Sequence, residues 1–278
     1  MAVGKDWVDL KLDPETGIET IRAHFRGHAY DPHWHDSYLI GVTEQGVHQF
    51  SCRQERHTCV PGSTFLLEPG EVHDGDTSHN EGFTYRMLYL PPDWLEQQLS
   101  GLFESKPDKS VLTISSTLAD NQLLTLAVSH AFLALHLQEN KLLREGSLDH
   151  MLDLMTEHLH WRKREELIAE PVLALKAQEY LHSHIYQDIG LNDMALALDS
   201  DRFRISRNFK QAFGMAPHGY LIQMRLVEAR RLLAMGSTPA EVAMQLCFSD
   251  QSHLGRWFRR AYRVTPAQYR KCRSMECP

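Results

Sequence analysis

The chain has 278 residues, enough for two ordinary domains that each bury a core. Its 29 basic and 36 acidic residues give a formal charge of −7, but the split is uneven: residues 1–170 carry 14 basic against 27 acidic side chains, whereas 201–273 carry 14 against 4. No apolar run approaches the ~20 residues that span a bilayer, so no membrane partner is expected, and nucleic acid is a candidate partner for the basic back half.

Acidic residues interrupt the opening MAVGKDWVDLKLD where a signal peptide needs an apolar core. Residues 18–90 then read as strands. β-Formers and alternation mark 37–52, 63–68 and 83–90, and Gly46, Pro61-Gly62, Pro69-Gly70 and Asp74-Gly75-Asp76 punctuate them. Short strands between such turns predict a small β-barrel, with no helix of useful length inside it.

From Leu118 to Leu137 the period changes. Leu123, Leu124, Ala127, Val128, Ala131, Phe132 and Leu135 form one helical stripe. A second helix, about 141–161, offers Leu142, Leu143, Leu148, Met151, Leu152, Met155 and Leu159. The pair covers the open face of the barrel or packs against a second subunit, and the stripe alone does not choose. Leu124 and Phe132 are the positions expected to weaken self-association if made Asp. A charged run at 162–166 and Glu170-Pro171 place the linker at 163–171, between a first domain at 1–162 and a second at 172–278.

From 172 the chain is helical and contains an internal repeat, 191–221 and 238–270. Superposing the copies sets Ala195 on Ala243, Arg207 on Arg256, Phe209 on Phe258, Pro217 on Pro266 and Tyr220 on Tyr269. Each copy reads as a short helix, a tight turn and a longer Arg-rich helix, the pattern of a helix-turn-helix whose second helix enters the major groove. Residues 217–236 form one helix joining the two, plausible for modules spaced near one turn of DNA, ~34 Å.

Asp201 and Asp250 are placed as N-caps of the two longer helices. Phe203, Ile205 and Phe209 have core spacing in the first, leaving Arg202, Arg204, Ser206, Arg207 and Asn208 outside. In the second, Leu254, Trp257 and Phe258 point inward, and Gln251, Ser252, His253, Arg256 and Arg259 face out. Arg pairs bidentately with guanine and Gln with adenine, while Ser and His serve bases or phosphates. One basic helix face is ordinarily just solvated; two copies on one skeleton argue for double-stranded DNA.

Residues 172–273 resemble the paired helix-turn-helix domain of AraC/XylS-type transcription regulators. The resemblance rests on Arg207-x-Phe209-Lys210, Pro217-x-x-Tyr220, Arg225, Ala229-Arg230-x-Leu232-Leu233, Ala243, Phe248-x-Asp250-x-Ser252, Arg256-x-Phe258 and Thr265-Pro266-x-x-Tyr269-Arg270. It implies base contacts from Phe203, Ser206, Arg207, Gln251, Ser252 and Arg256. It also implies a homodimeric activator that meets RNA polymerase. Two positions depart from the pattern, Cys247 and Arg263, where the family carries Gly. If either backbone keeps φ > 0, the side chain costs on the order of 1 kcal/mol.

The front half resembles the cupin-like effector and dimerisation domain of that family, through Gly27-x5-His33-x-His35, Gly46, Pro61-Gly62 and Pro69-Gly70-Glu71-Val72-His73. The expected fold class is therefore α+β: a small N-terminal barrel followed by two helices, then an all-α domain with two helix-turn-helix motifs. The resemblance implies a pocket for a small organic effector. His33, His35, Glu71 and His73 would anchor it, with Trp34, Tyr38, Phe65, Tyr85 and Met87 as walls; Phe65 and Met87 read as core. His33, His35 and His73 also suit Zn, Fe, Ni or Cu as a divalent metal site, but the Glu that cupin sites add is missing. That absence, with no nucleophile or acid–base pair elsewhere, argues against an enzyme. His48, His57 and His79 are expected at turns or exposed edges. Five cysteines, odd in number and without a CxxC pair, predict reduced thiols in a cytoplasmic protein.

Overall fold

The computed structural model describes residues 6–53, 55–99, 110–163 and 172–274, so the linker predicted at 163–171 lies outside it beyond Lys163. The chain divides into two compact units, Met1–Ile168 and Ala169–Pro278.

Among the described residues, the first unit opens with nine strands. They are β1 (Trp7–Leu12), β2 (Glu19–Phe25), β3 (Tyr30–His33), β4 (Tyr38–Gly46), β5 (His48–Cys52), β6 (Glu55–Cys59), β7 (Thr64–Leu67), β8 (His73–Gly75) and β9 (Phe83–Leu90). There follow α1 (Pro92–Leu99), β10 (Ser110–Ile114), β11 (Leu118–Ala119), α2 (Gln122–His136), α3 (Lys141–Met155) and β12 (Leu159–Lys163). The region expected to form a barrel is built as two antiparallel sheets, β1-β2-β9-β4-β7-β11 and β3-β8-β5-β6, with β10-β12 as a separate ribbon.

Alternation on the central strands creates two cores, because successive side chains leave opposite faces of a sheet. On β4, β7 and β9, Tyr38, Ile40, Val42, Leu66, Leu88 and Leu90 meet Leu124, Val128, Phe132 and Met151 of the helices. Their neighbours Leu39, Phe65, Leu67, Phe83, Tyr85, Met87 and Tyr89 face the other way, against Phe50 and Cys52. Gly46 closes β4 at φ +73°, and a Cβ there would lie 2.0 Å from the Gly82 carbonyl oxygen. Only glycine fits that crossing.

Three expectations change here. The helix expected from Leu118 starts at Gln122, capped by the Asn121 side chain, because Leu118–Ala119 pairs with β7. The helix expected to reach residue 161 ends at Met155, and 159–163 pairs with 110–114 instead. Long-range strand pairing overrides the helical stripe at both places. Leu124 and Phe132 are fully buried in their own domain, so they are not dimer-facing residues.

The second unit contains α4 (Val172–Ser183), α5 (Leu191–Ala197), α6 (Arg202–Phe213), α7 (Pro217–Ala234), α8 (Pro239–Gln245), α9 (Gln251–Tyr262) and α10 (Pro266–Ser274). The internal repeat is borne out in hydrogen bonds: Ser200 N–H donates to Ala195 O at 3.1 Å, and Phe248 N–H to Ala243 O at 2.9 Å. Both turns pass through the left-handed region, at Asp199 (φ 46°) and Cys247 (φ 55°). Asp tolerates that conformation better than Cys. Gly214 ends α6 at φ 72°, while Arg263 ends α9 at φ 59°. Arg263→Gly is expected to stabilise the full chain by ~1 kcal/mol, read as a higher Tm. An unchanged or lower Tm would show that the side chain's own contacts outweigh the strain.

Buried Arg225 on α7 donates to the carbonyls of Ile185 (3.1 Å) and Gln187 (2.6 Å), tying the joining helix to the α4–α5 loop. No helix of the described residues is long and apolar enough to cross a membrane.

Candidate functional site

The helical unit presents two basic faces. Asp201 accepts from the Phe203 and Arg204 amides at 2.8 and 3.1 Å, and Asp250 accepts from the His253 amide at 2.7 Å. These caps orient the first turns of α6 and α9. Ile205 and Phe209 anchor α6 and Leu254 and Phe258 anchor α9, all fully buried. That leaves Arg202, Arg204 and Arg207 exposed on α6, with Ser206 and Asn208 half-buried beside them. On α9, Gln251, Ser252, Arg256 and Arg259 are exposed.

Phe203 is not core: it is 65% exposed, with the Arg202 guanidinium 4.8 Å from its ring centre. Phe203 lies two residues before Ile205 and so falls off the i, i+4 row that Ile205 and Phe209 share. His253 is half-buried, accepting from the Trp257 indole N–H at 2.9 Å and meeting Ser249 Oγ at 3.1 Å. An open groove of about 510 Å³ runs beside α9, lined by Gln251, Ser252, Arg256, Arg259, Arg260 and Arg263. Such a concentration of guanidinium groups suits a phosphate backbone.

The β-rich unit has a second candidate site between its two sheets. The cavity is about 30 Å³, and four imidazoles line it: His33, His35, His48 and His73. Tyr30, Tyr85, Tyr89, Phe50, Phe65, Leu67, Met87 and Asp74 complete the wall. Three of the rings crowd together, with centroids 4.4 Å apart for His33–His73, 4.9 Å for His33–His35 and 5.3 Å for His35–His73. Their candidate ligand nitrogens all lie within 4.8 Å of one another.

Two backbone carbonyls fix the tautomers. His33 Nδ1 sits 2.7 Å from Asp31 O, and His73 Nδ1 sits 2.9 Å from Glu71 O. A carbonyl only accepts, so each Nδ1 carries the proton and each Nε2 keeps its lone pair. Burial also holds the His73 pKa below its usual value, favouring the neutral ring.

His48, expected at a turn or edge, is buried on the inner face of β5. Its ring stacks on Phe83 at 4.4 Å, and burial pushes its pKa down to about 3, with His73 and Arg56 adding to the effect. The alternation His48, Phe50, Cys52 in 48–52 carried that placement, since all three share the buried face. Tyr30, Tyr89 and Asp74 were likewise not singled out from the sequence.

Three predicted wall or anchor residues are elsewhere. Tyr38 is one residue out of phase with Leu39; it faces the helices, where its hydroxyl donates to Leu112 O at 2.7 Å. Trp34 lies between two inward histidines and does not line the cavity. Glu71 follows the Gly70 turn (φ 81°) and faces away, where Arg53 holds it together with the Glu68 amide at 2.8 Å. His33, His35, His73, Tyr85, Phe65 and Met87 do line the cavity. Among the described residues, no arginine or lysine lines it. Arg22 and Arg86 pair with Glu44, Arg53 with Glu68 and Glu71, and Arg56 with Asp74 and Asp76.

A family model for the AraC-like ligand binding domain matches residues 15–155, and one for a helix-turn-helix domain matches 194–272. The chain belongs to the AraC family. It is a DNA-binding transcription regulator with an N-terminal ligand-binding domain, and the predicted α+β two-domain class holds. This AraC-family chain is 27% identical over 248 residues to the uncharacterized HTH-type transcriptional regulator YbfI of Bacillus subtilis strain 168, covering 88% of each. It is 24% identical to the transcriptional activator RhaS of Klebsiella pneumoniae strain 342, covering 93% of this chain and 95% of that one. In fold it is similar to ToxT from Vibrio cholerae O395, with TM-score 0.53 at 12% identity over 98% of both chains. It is equally similar to ToxT of strain SCE256 solved with an unsaturated fatty acid, with TM-score 0.54 at 14% identity over 98% and 96%.

Proposed function

We propose that this regulator is a cytoplasmic homodimer, not an enzyme, that binds duplex DNA through α6 and α9. A compact ligand in the cavity between the two sheets alters promoter occupancy, and the output is activation through RNA polymerase. The carrying observation is the pair of capped helices with exposed Arg207 and Arg256 on matching skeletons. In this reading Arg202, Phe203, Arg204, Ser206, Asn208, Gln251, Ser252 and Arg259 make the surrounding base and phosphate contacts.

Cavity size supports a ligand of few atoms. About 30 Å³ accommodates one or two water-sized groups, whereas drug-sized ligands occupy ~300–1,000 Å³. A fatty acid such as the one bound in a ToxT structure needs far more room, so the two proteins differ in ligand class on this reading.

Dimerisation is supported by the outer face of α2. Leu123, Leu126, His130, Leu133 and Leu137 are all exposed, and they recur at alternating intervals of three and four. That interval is the seam of a helix pair.

Selection from a random duplex pool by the purified full chain tests the function. One enriched site is expected, and it should be lost in the Arg207→Ala/Arg256→Ala variant. No enrichment over that variant would overturn the proposal.

A further inference from the structure

We infer that the cavity between the two sheets takes a primary ammonium group, ammonium itself or an amine of methylammonium size, as its ligand. This inference rests on the reading of that cavity as the ligand site and names the chemical class that enters it.

The wall is rich in acceptors. Asp31 O and Glu71 O take the Nδ1 protons of His33 and His73, so each Nε2 is an acceptor. His48 keeps a neutral ring, and its buried Nδ1 has no hydrogen-bond partner. Phe50, Phe65, Tyr30, Tyr85 and Tyr89 supply aromatic rings, whose faces are partially negative and attract a cation within ~6 Å. Asp74 adds a carboxylate.

Nothing in the described wall offsets that negative potential, since no arginine or lysine is part of it. The arginines of the β5–β6 hairpin are already matched twice over, Arg53 by Glu68 and Glu71, Arg56 by Asp74 and Asp76. An anion is therefore repelled and a cation drawn in. A primary ammonium also brings three hydrogens to a cluster of three imidazoles, where a hydroxyl brings one.

Spacing selects among cations. The candidate ligand nitrogens of His33, His35 and His73 span up to 4.8 Å. Acceptors around a tetrahedral ammonium, each ~2.9 Å from its nitrogen, stand about 4.7 Å apart. Around a tetrahedral metal ion at ~2.1 Å they stand only about 3.4 Å apart. The folded cluster has the wider spacing. Its volume of about 30 Å³ suits a group the size of one or two waters.

The test uses the full chain treated with chelator, its histidines labelled with nitrogen-15, and methylammonium chloride as probe. Methanol and potassium chloride are the controls for size and for charge. A ceiling of about −1.5 kcal/mol per heavy atom puts the best methylammonium affinity near ~6 mM. Saturable shifts of imidazole nitrogens and a higher Tm are expected with methylammonium alone. His33→Phe and His73→Phe should each weaken binding at least ~10-fold, as for a lost hydrogen bond to a charged group. Leu67→Met, in the same wall, should keep it. Circular dichroism separates lost binding from lost folding. If both Phe variants unfold, the wild-type contrast between methylammonium and its two controls still decides.

An equal response to methanol or potassium overturns the inference. So does an absence of saturation by ~100 mM, or binding that survives in folded His33→Phe and His73→Phe. Binding is read without DNA, so its failure is distinct from failure of the cavity as the regulatory site. The latter is read as DNA affinity unchanged by bound methylammonium and by variants that fill the cavity.

Discussion

Arg207→Ala and Arg256→Ala will each lower site-specific DNA affinity by ~1–3 kcal/mol, roughly 5–150-fold, with the fold intact. Both side chains are exposed, so truncation removes no packing. Each lies on a helix whose first turn is fixed by an aspartate cap and whose inner face is locked by a fully buried phenylalanine, Phe209 or Phe258. A guanidinium on so rigid a base reaches a guanine edge without first ordering its own helix. The two losses should be close to additive if the modules read separate stretches of the groove. Substituting Arg202 or Arg259 should instead weaken binding to all sequences and lower the salt dependence, as for phosphate contacts. Binding assays at two salt concentrations check this, and equal affinity of both alanine variants for the selected site would refute the docking.

On the proposed dimer, Leu126→Asp combined with Leu133→Asp is expected to leave monomers at micromolar concentration. In a two-fold dimer each substitution is felt twice, and a buried interface leucine made charged costs ~2 kcal/mol or more at a central position. The dissociation constant should rise at least ~100-fold, measured by sedimentation. Leu126 and Leu133 are 50% and 42% exposed in the single chain, so folding should survive. Leu124→Asp is the contrast. It puts a carboxylate into the core between sheet and helices and is expected to unfold the domain, at on the order of 4 kcal/mol. A sedimentation profile unchanged by the double substitution would rule out this face as the interface.

The helical unit was legible because its determinants are local. Asp201, Asp250 and the Ala195/Ala243 equivalence each act within a few residues, and two copies confirm one another. The β-rich unit depends on distant partners, and errors fall where those partners decide. Nothing local in 159–163 announces a strand; it becomes one because 110–114 lies alongside. Similarly, β1 is a strand through its pairing with β2. For the site, His33, His35 and His73 stood out as a histidine pattern, but wall membership turns on parity along each strand. Tyr38 was assigned to the wrong side by one residue, and His48 was passed over although Phe50 and Cys52 mark its face.

That same parity makes the domain's middle sheet a partition one strand thick. Met87 and Tyr89 line the cavity, while Leu88 and Leu90, their immediate neighbours in the chain, belong to the core on the other face, which also takes in the buried side of α2. Close-packed interiors pass small displacements on instead of absorbing them. A ligand that draws the imidazoles together or props the wall apart therefore shifts the backing of α2 directly, with no relay of intermediate side chains. Substitutions on β9 are constrained from both sides, so a change that retunes the ligand pocket also re-seats the seam. With subunits paired through that face as proposed, ligand choice and subunit pairing should drift together over evolution.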